Sequence, residues 1–190
     1  MKNFIIFGPP GAGKGSQCVI LSKKYNFKHI STGDILREEV KRESELGLKV
    51  KSLMDKGELV SDTLIIKIIE GVLVNSDDVA GFLYDGFPRT VKQSRALEEL
   101  LKKLGQKIDA VISLHADEDV IIKRIQGRAA IEGREDDART DVVKKRLEVY
   151  REQTHPLIEI YKKKGIYHPI NGNLTIEQNF AEICEFIGQQ

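Results

Sequence analysis

Residues Gly8 to Ser16 read G-P-P-G-A-G-K-G-S and follow directly on the apolar run Phe4 to Phe7. A short apolar strand that enters a glycine-rich turn and then a helix gathers backbone N–H groups around one point. The amides of Gly11, Ala12, Gly13, Lys14, Gly15 and Ser16 would surround an anion there, and Lys14 adds a positive charge. The chemistry this suits is the binding of nucleotide phosphates. The spacing fits G-x-x-x-x-G-K-[ST] up to Lys14, but Gly15 stands where a hydroxyl residue ordinarily holds Mg²⁺, and Ser16 comes one place later. A metal must be held another way. The plain alternative is a tight turn whose glycines only supply positive φ. Four glycines, two prolines and a lysine within eight residues after a strand argue against it.

The elements that must position this turn can be read from the apolar pattern. Short apolar runs recur at Phe4 to Phe7, His29-Ile30-Ser31, Phe82-Leu83-Tyr84, Ala110 to Leu114 and Tyr167 to Ile170. Between them lie helical spacings such as Leu97, Leu100, Leu101 and Leu104. Five strands alternating with helices predict an α/β fold, a parallel sheet with helices on both faces and ligands beyond the carboxyl ends of the strands. Two segments break the alternation. From Thr32 to Asn75 helical patterns follow one another, broken at Gly47 and Gly57, which predicts a helical insertion. From Gly127 to Asp137 the polar stretch G-R-A-A-I-E-G-R-E-D-D predicts a loop able to move as a lid. The lysines 162 to 164 before Gly165 suit a solvated helix C-terminus.

Composition bounds the rest. A chain of 190 residues is long enough for one well-buried domain and too short for two ordinary cores. With 30 basic and 29 acidic residues and a net charge of +1, neither a nucleic-acid nor a membrane surface is expected. Cys18 and Cys184 each fall in an amphipathic helical pattern and read as small buried residues, not a disulfide, which suits a reducing compartment. No apolar stretch approaches the ~20 residues that span a bilayer. The turn at Gly8 leaves no room for a secretory signal, so a cytoplasmic protein is expected.

The residues carry a resemblance over essentially the whole length. With G-P-P-G-A-G-K-G-S, S-T-G-D-I-L-R (31–37), D-G-F-P-R-T-V-K-Q (85–93), R-I-Q-G-R (124–128), G-R-E-D-D (133–137) and K-R-L (145–147), the chain resembles the adenylate kinases of the nucleoside monophosphate kinase family, short-lid type. The resemblance implies a P-loop NTPase-like core (1–31, 61–126 and 138–190), an acceptor-binding insertion at 32–60 and a lid at 127–137. It implies reversible, Mg²⁺-dependent transfer from ATP to AMP, giving two ADP, by a monomer. The lid lacks a four-ligand Cys/His cluster, so no zinc is expected.

Roles follow from that resemblance and from charge. Phosphoryl transfer gathers many negative charges, and arginine forks bond two phosphate oxygens at once. Lys14 is expected on the donor β and γ phosphates, Arg128 on the donor phosphates, Arg124 stacked on the donor adenine, and Gly172 beside it. Arg89 would bridge acceptor and transferred phosphates, Arg37 hold the acceptor phosphate, and Arg134 and Arg146 close on the transferred group. Thr32, Glu58, Val60, Gly86 and Gln93 complete the expected acceptor site. Asp85, at the end of a strand beside the P-loop, is expected to hold Mg²⁺ through its waters, with Asp34 as a second candidate or a turn residue. Asp136 and Asp137 are expected to brace the lid against the body, or else are a solvated acidic pair.

Acceptor choice rests on Thr32, Thr90 and Gln93, because AMP-directed members typically keep them and UMP/CMP kinases typically replace them. A side-chain amide both donates and accepts, so Gln93 can pair with the adenine amino group and a neighbouring ring nitrogen. The alternatives are a UMP/CMP kinase and a nucleotide-sensing module without catalysis, which would not need the full cation set. A GTP switch would need the N-K-x-D motif, which is missing from the sequence. His29, His115, His155 and His168 show no ligand spacing and read as structural.

Overall fold

The computed structural model describes residues 1–76 and 78–189. These residues form one five-stranded sheet: β1 (Lys2–Phe7), β2 (Phe27–Ser31), β3 (Gly81–Asp85), β4 (Ala110–His115) and β5 (Tyr167–Asn171), in the order β2-β3-β1-β4-β5. Every neighbouring pair is parallel. The strands predicted from the apolar runs are all present, each extended by one or two residues.

Strand side chains alternate between two cores. Ile5, Phe7, Phe82, Tyr84 and Val111 face one side, where α4 (Asp62–Val74), α5 (Val91–Lys103) and α9 (Leu157–Lys163) cover them through Ile69, Leu97, Leu101 and Tyr161. Phe4, Ile6, Leu83, Ile112 and Leu114 face the other, covered by α1 (Lys14–Tyr25) and α10 (Ile176–Gly188) through Cys18, Leu21 and Ile183. Burial on both faces is why these strands read as unbroken apolar runs. Because β1 and β4 end together at the P-loop, the sheet fixes that turn in place.

The expected insertion holds α2 (Thr32–Lys41) and α3 (Glu45–Asp55). Its first break is not at Gly47 but at residues 42–44, where Glu43 takes φ 52° and Ser44 caps α3 by accepting from the Gly47 N–H at 2.9 Å. Gly47 lies inside the first turn of α3, and a Cβ there would sit 2.1 Å from the Glu39 carbonyl oxygen. The glycine therefore serves close packing of α2 on α3, not chain reversal. Gly57, at φ +72°, does end the pair.

The expected loop at 127–137 is corrected in the same way. α6 (Glu118–Glu132) runs straight through Gly127, and only Gly133, left-handed at φ 63°, stops it before α7 (Glu135–Ala138) and α8 (Thr140–Val149). An isolated glycine is tolerated inside a helix at a cost of about 1 kcal/mol, and Ala129 and Ala130 favour the helix that continues past it. One five-residue π-helical turn, Tyr150–Thr154, follows α8. Cys18 and Cys184 are free thiols, the first buried and the second half-buried. No helix among the described residues is long and apolar enough to cross a membrane.

Candidate active site

The P-loop is fixed by close backbone approach. A Cβ on Gly8 would lie 2.5 Å from the Leu114 carbonyl oxygen, and one on Gly11 2.8 Å from Ile125 and 2.9 Å from the Ile121 oxygen. Only glycine lets the turn nestle between the end of β4 and α6. Gly13 then starts α1, so the first amides of that helix point into the turn.

Lys14 donates to the Pro9 carbonyl at 2.8 Å. Burial, and then the nearby charges of Arg89, Arg128 and Arg146, lower its pKa to about 8 against an opposing pull from Asp85. Arg89 follows a turn at Gly86 (φ +74°) and donates from Nε to the Gly86 carbonyl at 2.7 Å. Burial lowers its pKa to about 10, with Arg146 and Arg37 adding to the effect. Cations gathered this closely make a candidate anion site.

Asp85 ends β3 beneath these cations. Burial works against its charge, but the hydrogen bond from His29 at 3.3 Å and the charges of Lys14, His29 and Arg89 hold its pKa below the usual carboxylate value. A Cβ on Gly15 would be 3.5 Å from Asp85 Oδ2, so the residue lacking a hydroxyl is the one that leaves space beside the carboxylate. Cys18, His29 and Asp85 offer ligand atoms within 4.8 Å of one another, a meeting that linear spacing did not show. Burial pushes the Cys18 thiol well above its usual range, which keeps it protonated and packed beneath the P-loop.

The arginines of the lid are held by acids. Asp137, with a side chain 0 % exposed, accepts from Arg128 Nε at 2.6 Å and Nη2 at 2.9 Å, and from Arg146 Nη1 at 2.6 Å. Arg146 Nη1 also reaches Asp136 at 2.9 Å. Burial opposes the charge on Asp137, yet the two arginines hold its pKa below the usual carboxylate range, and Asp137 in turn raises that of Arg128. Arg134 is bound not by this pair but by Glu132 at 2.6 Å and by Asp34 at 3.4 Å, a contact from the lid segment to α2. Asp34 also receives Arg37 at 2.6 Å, which leaves it an arginine holder and a poor metal candidate. Arg124 spans the Gly172, Leu174 and Ala12 carbonyls at 2.7, 3.2 and 3.5 Å, joining the P-loop to the β5–α10 connection.

All but Arg134 of the expected acceptor residues surround one cavity: Thr32, Arg37, Glu58, Val60, Gly86, Arg89, Gln93 and Arg146, together with Leu36, Met54 and Ile65. Capping chemistry sets its walls. Ser31 Oγ accepts from the Asp34 N–H and starts α2, while Thr90 Oγ1 accepts from the Gln93 N–H and starts α5. Thr32 Oγ1 donates to the Gly86 carbonyl at 3.0 Å and ties α2 to the Arg89 turn. In a wider surface cleft between α3 and α8, Lys51 pairs with Asp55 and Arg139 with Asp141, while Lys145 pairs with Glu148.

Three residues at this site escaped the sequence reading. His29 was read as structural, and only the pairing of β2 with β3 brings it to Asp85. Asp62 accepts from Gln93 Nε2 at 2.8 Å and Thr90 Oγ1 at 3.1 Å. Thr154 donates to the Arg89 carbonyl at 3.0 Å from the π-helical turn, and such turns often mark functional positions.

A family model described as adenylate kinase matches residues 6–166. Relatives named adenylate kinase include one from Leptospira biflexa, 48 % identical over 94 % of this chain and 95 % of its own. Another, from Prochlorococcus marinus, is 46 % identical over 98 % and 99 %. A third, from Bacteroides thetaiotaomicron, is 43 % identical over 98 % of each chain. A glycine-rich turn at the start of a helix, a converging set of half-buried cations and an adjoining cavity walled by an amide thus stand in a sequence that matches these kinases over nearly its whole length, and the chain belongs to the adenylate kinase family.

Proposed function

We propose that this enzyme transfers the terminal phosphoryl group of ATP to AMP, giving two ADP, reversibly and directly, without a covalent phosphoenzyme. The observation that carries the reading is the meeting of Lys14, in the P-loop, with Arg89, on the wall of the Gln93 cavity: the charge of Arg89 helps to lower the pKa of Lys14, as those of Arg146 and Arg37 help to lower that of Arg89. Two half-buried cations where the P-loop adjoins the cavity suit a phosphoryl group passing from one to the other.

Each role is then supported by position. The amides of the P-loop and Lys14 hold the donor phosphates. Arg89 and Arg37 hold the acceptor phosphate, Arg128 the donor phosphates, and Arg134 and Arg146 close on the transferred group, Arg128 and Arg146 exchanging part of their bond to Asp137 for phosphate. Arg124 has its edges on backbone carbonyls, which leaves its face for the donor adenine beside Gly172. Asp85 fits Mg²⁺ because its carboxylate stays ionised and Gly15 leaves space beside it; the ion, when bound, neutralises and orients the donor phosphates.

The segment 127–137 acts as the lid and 32–60 as the acceptor-binding part. Their contact through Arg134 and Asp34 supports concerted closure that excludes water and favours transfer over hydrolysis. We place the activity in a monomer, since the cavity and the cations come from one chain. We place it in the cytoplasm, which the two free thiols suit. A coupled assay with Mg-ATP against AMP, dAMP, UMP, CMP and GMP tests the reading. AMP is expected to be preferred, and a comparable rate with UMP or CMP would overturn the acceptor assignment.

A further inference from the structure

The acceptor cavity contains an amide whose orientation is fixed by neighbours of known hydrogen-bonding sense. Gln93 is 2 % exposed, so protein groups and not bulk solvent must satisfy it. Its Oε1 accepts from the Arg89 backbone N–H at 2.8 Å, and its Nε2 donates to Asp62 Oδ1 at 2.8 Å. A backbone N–H can only donate and a carboxylate oxygen can only accept. Rotating the amide by half a turn would set NH₂ against N–H and oxygen against carboxylate, two mispairings in a nearly closed space.

We propose that Asp62 is a positioning residue that selects a 6-amino purine over a 6-oxo purine by locking the Gln93 amide. With one Nε2–H and one Oε1 lone pair already used, one of each remains. Adenine offers a ring-nitrogen acceptor and an amino donor, which match that remainder. Hypoxanthine offers a ring N–H donor and a carbonyl acceptor, which match only the flipped amide. Asp62 lies outside the cavity wall, at the first turn of α4, and acts solely through Gln93 and Thr90. It fixes which purine the cavity reads without touching it. The inference rests on the adenine reading of the cavity.

The test is the ratio of kcat/KM for AMP to that for inosine 5′-monophosphate, at saturating Mg-ATP, in the wild type and in Asp62→Ala, Asp62→Ser and Asp62→Asn. The wild type is expected to prefer AMP by about a hundredfold or more, because a mismatched partner leaves buried polar groups unpaired. Asp62→Ala is expected to lower the ratio about tenfold. Asp62→Ser, too short to reach Nε2 but suited to a helix start, should do the same and serves if the alanine variant does not fold. Asp62→Asn keeps an acceptor oxygen and should restore most of the ratio. A merely structural role would lower both kcat/KM values in parallel and leave the ratio unchanged, and that result would overturn the role of Asp62 alone. A wild type indifferent between the two acceptors would overturn the adenine reading and this inference together.

Discussion

The cations at the centre of the site and those of the lid are held in opposite ways. Lys14 and Arg89 donate to backbone carbonyls, of Pro9 and Gly86, and burial lowers the pKa of both, helped for Lys14 by Arg89 and for Arg89 by Arg146 and Arg37. Arg128 and Arg134 of the lid segment, and Arg146 beside them on α8, sit against carboxylates, those of Asp137, Glu132, Asp34 and Asp136. The first group is an unbalanced charge that a phosphate would relieve. The second is a balanced charge, stored until a phosphate competes for it. The lesson is that the centre holds cations that an anion would neutralise, whereas segment 127–137 and α8 hold cations already neutralised by carboxylates.

The largest expected effect comes from removing a central cation. Lys14→Met or Arg89→Ala is expected to lower kcat on the order of 10³–10⁵-fold while the fold survives, because one cation facing shifting phosphate charge is lost. Steady-state kinetics beside a circular dichroism melt would check both halves, and near-normal turnover would break the contrast. The sign on stability is also set. The folded pKa of Lys14, about 8, lies below its ordinary 10.5, so the ligand-free fold carries a penalty at neutral pH that is lifted as pH rises from 8 towards 10.5. Lys14→Met should lack that rise and should melt no lower than the wild type at pH 7.

Removing the balancing acid from the lid should act on stability first. Asp137→Ala leaves Arg128 and Arg146 facing a buried hole and is expected to cost about 3 kcal/mol, read from the shift of the urea midpoint. A loss below ~1 kcal/mol would mean that the lid charges are as unbalanced as the central ones. Next comes Gly47→Ala, where a better helix former would normally help. The 2.1 Å approach to Glu39 makes it destabilising by about 1–3 kcal/mol, and raised amide exchange in α2 and α3 would locate the damage.

The smallest effect is expected at the exposed bridge from Arg134 to Asp34. Asp34→Asn should change global stability by ~0–1 kcal/mol. It should nonetheless weaken the protection from amide exchange that an analogue with two adenosines joined by five phosphates is expected to give residues 127–137 and 32–60. Equal protection in wild type and variant would show that the two segments close independently.

How much of this was legible in the sequence depended on whether the signal was local. The P-loop and the five strands lie in short contiguous patterns, and the parallel sheet follows from them. Gly47 and Gly127 misled because glycine marks either a turn or a close approach, and only the neighbouring helix or the strength of the flanking helix formers decides which. The lid looks like a loop in the sequence because it is polar and bounded by glycines, whereas its helix runs through Gly127 and Arg128 and Asp137 satisfy each other nine residues apart. His29, Asp62 and Thr154 were invisible for a different reason. Each acts across elements far apart in sequence, and the partner of Asp62 is fixed by the packing of α4 on α5.

The central claim is that Lys14 is a half-buried cation only partly balanced by Asp85, its charge completed by the donor phosphates, and proton uptake measures this directly. At pH 8 a group with pKa about 8 is half protonated, and bound phosphate would raise its affinity for the proton. Calorimetry of Mg-ATP binding, without AMP, in buffers of different ionisation enthalpy should therefore show uptake of about half a proton by the wild type and markedly less by Lys14→Met. No uptake by the wild type, or the same uptake by both proteins, would contradict the account.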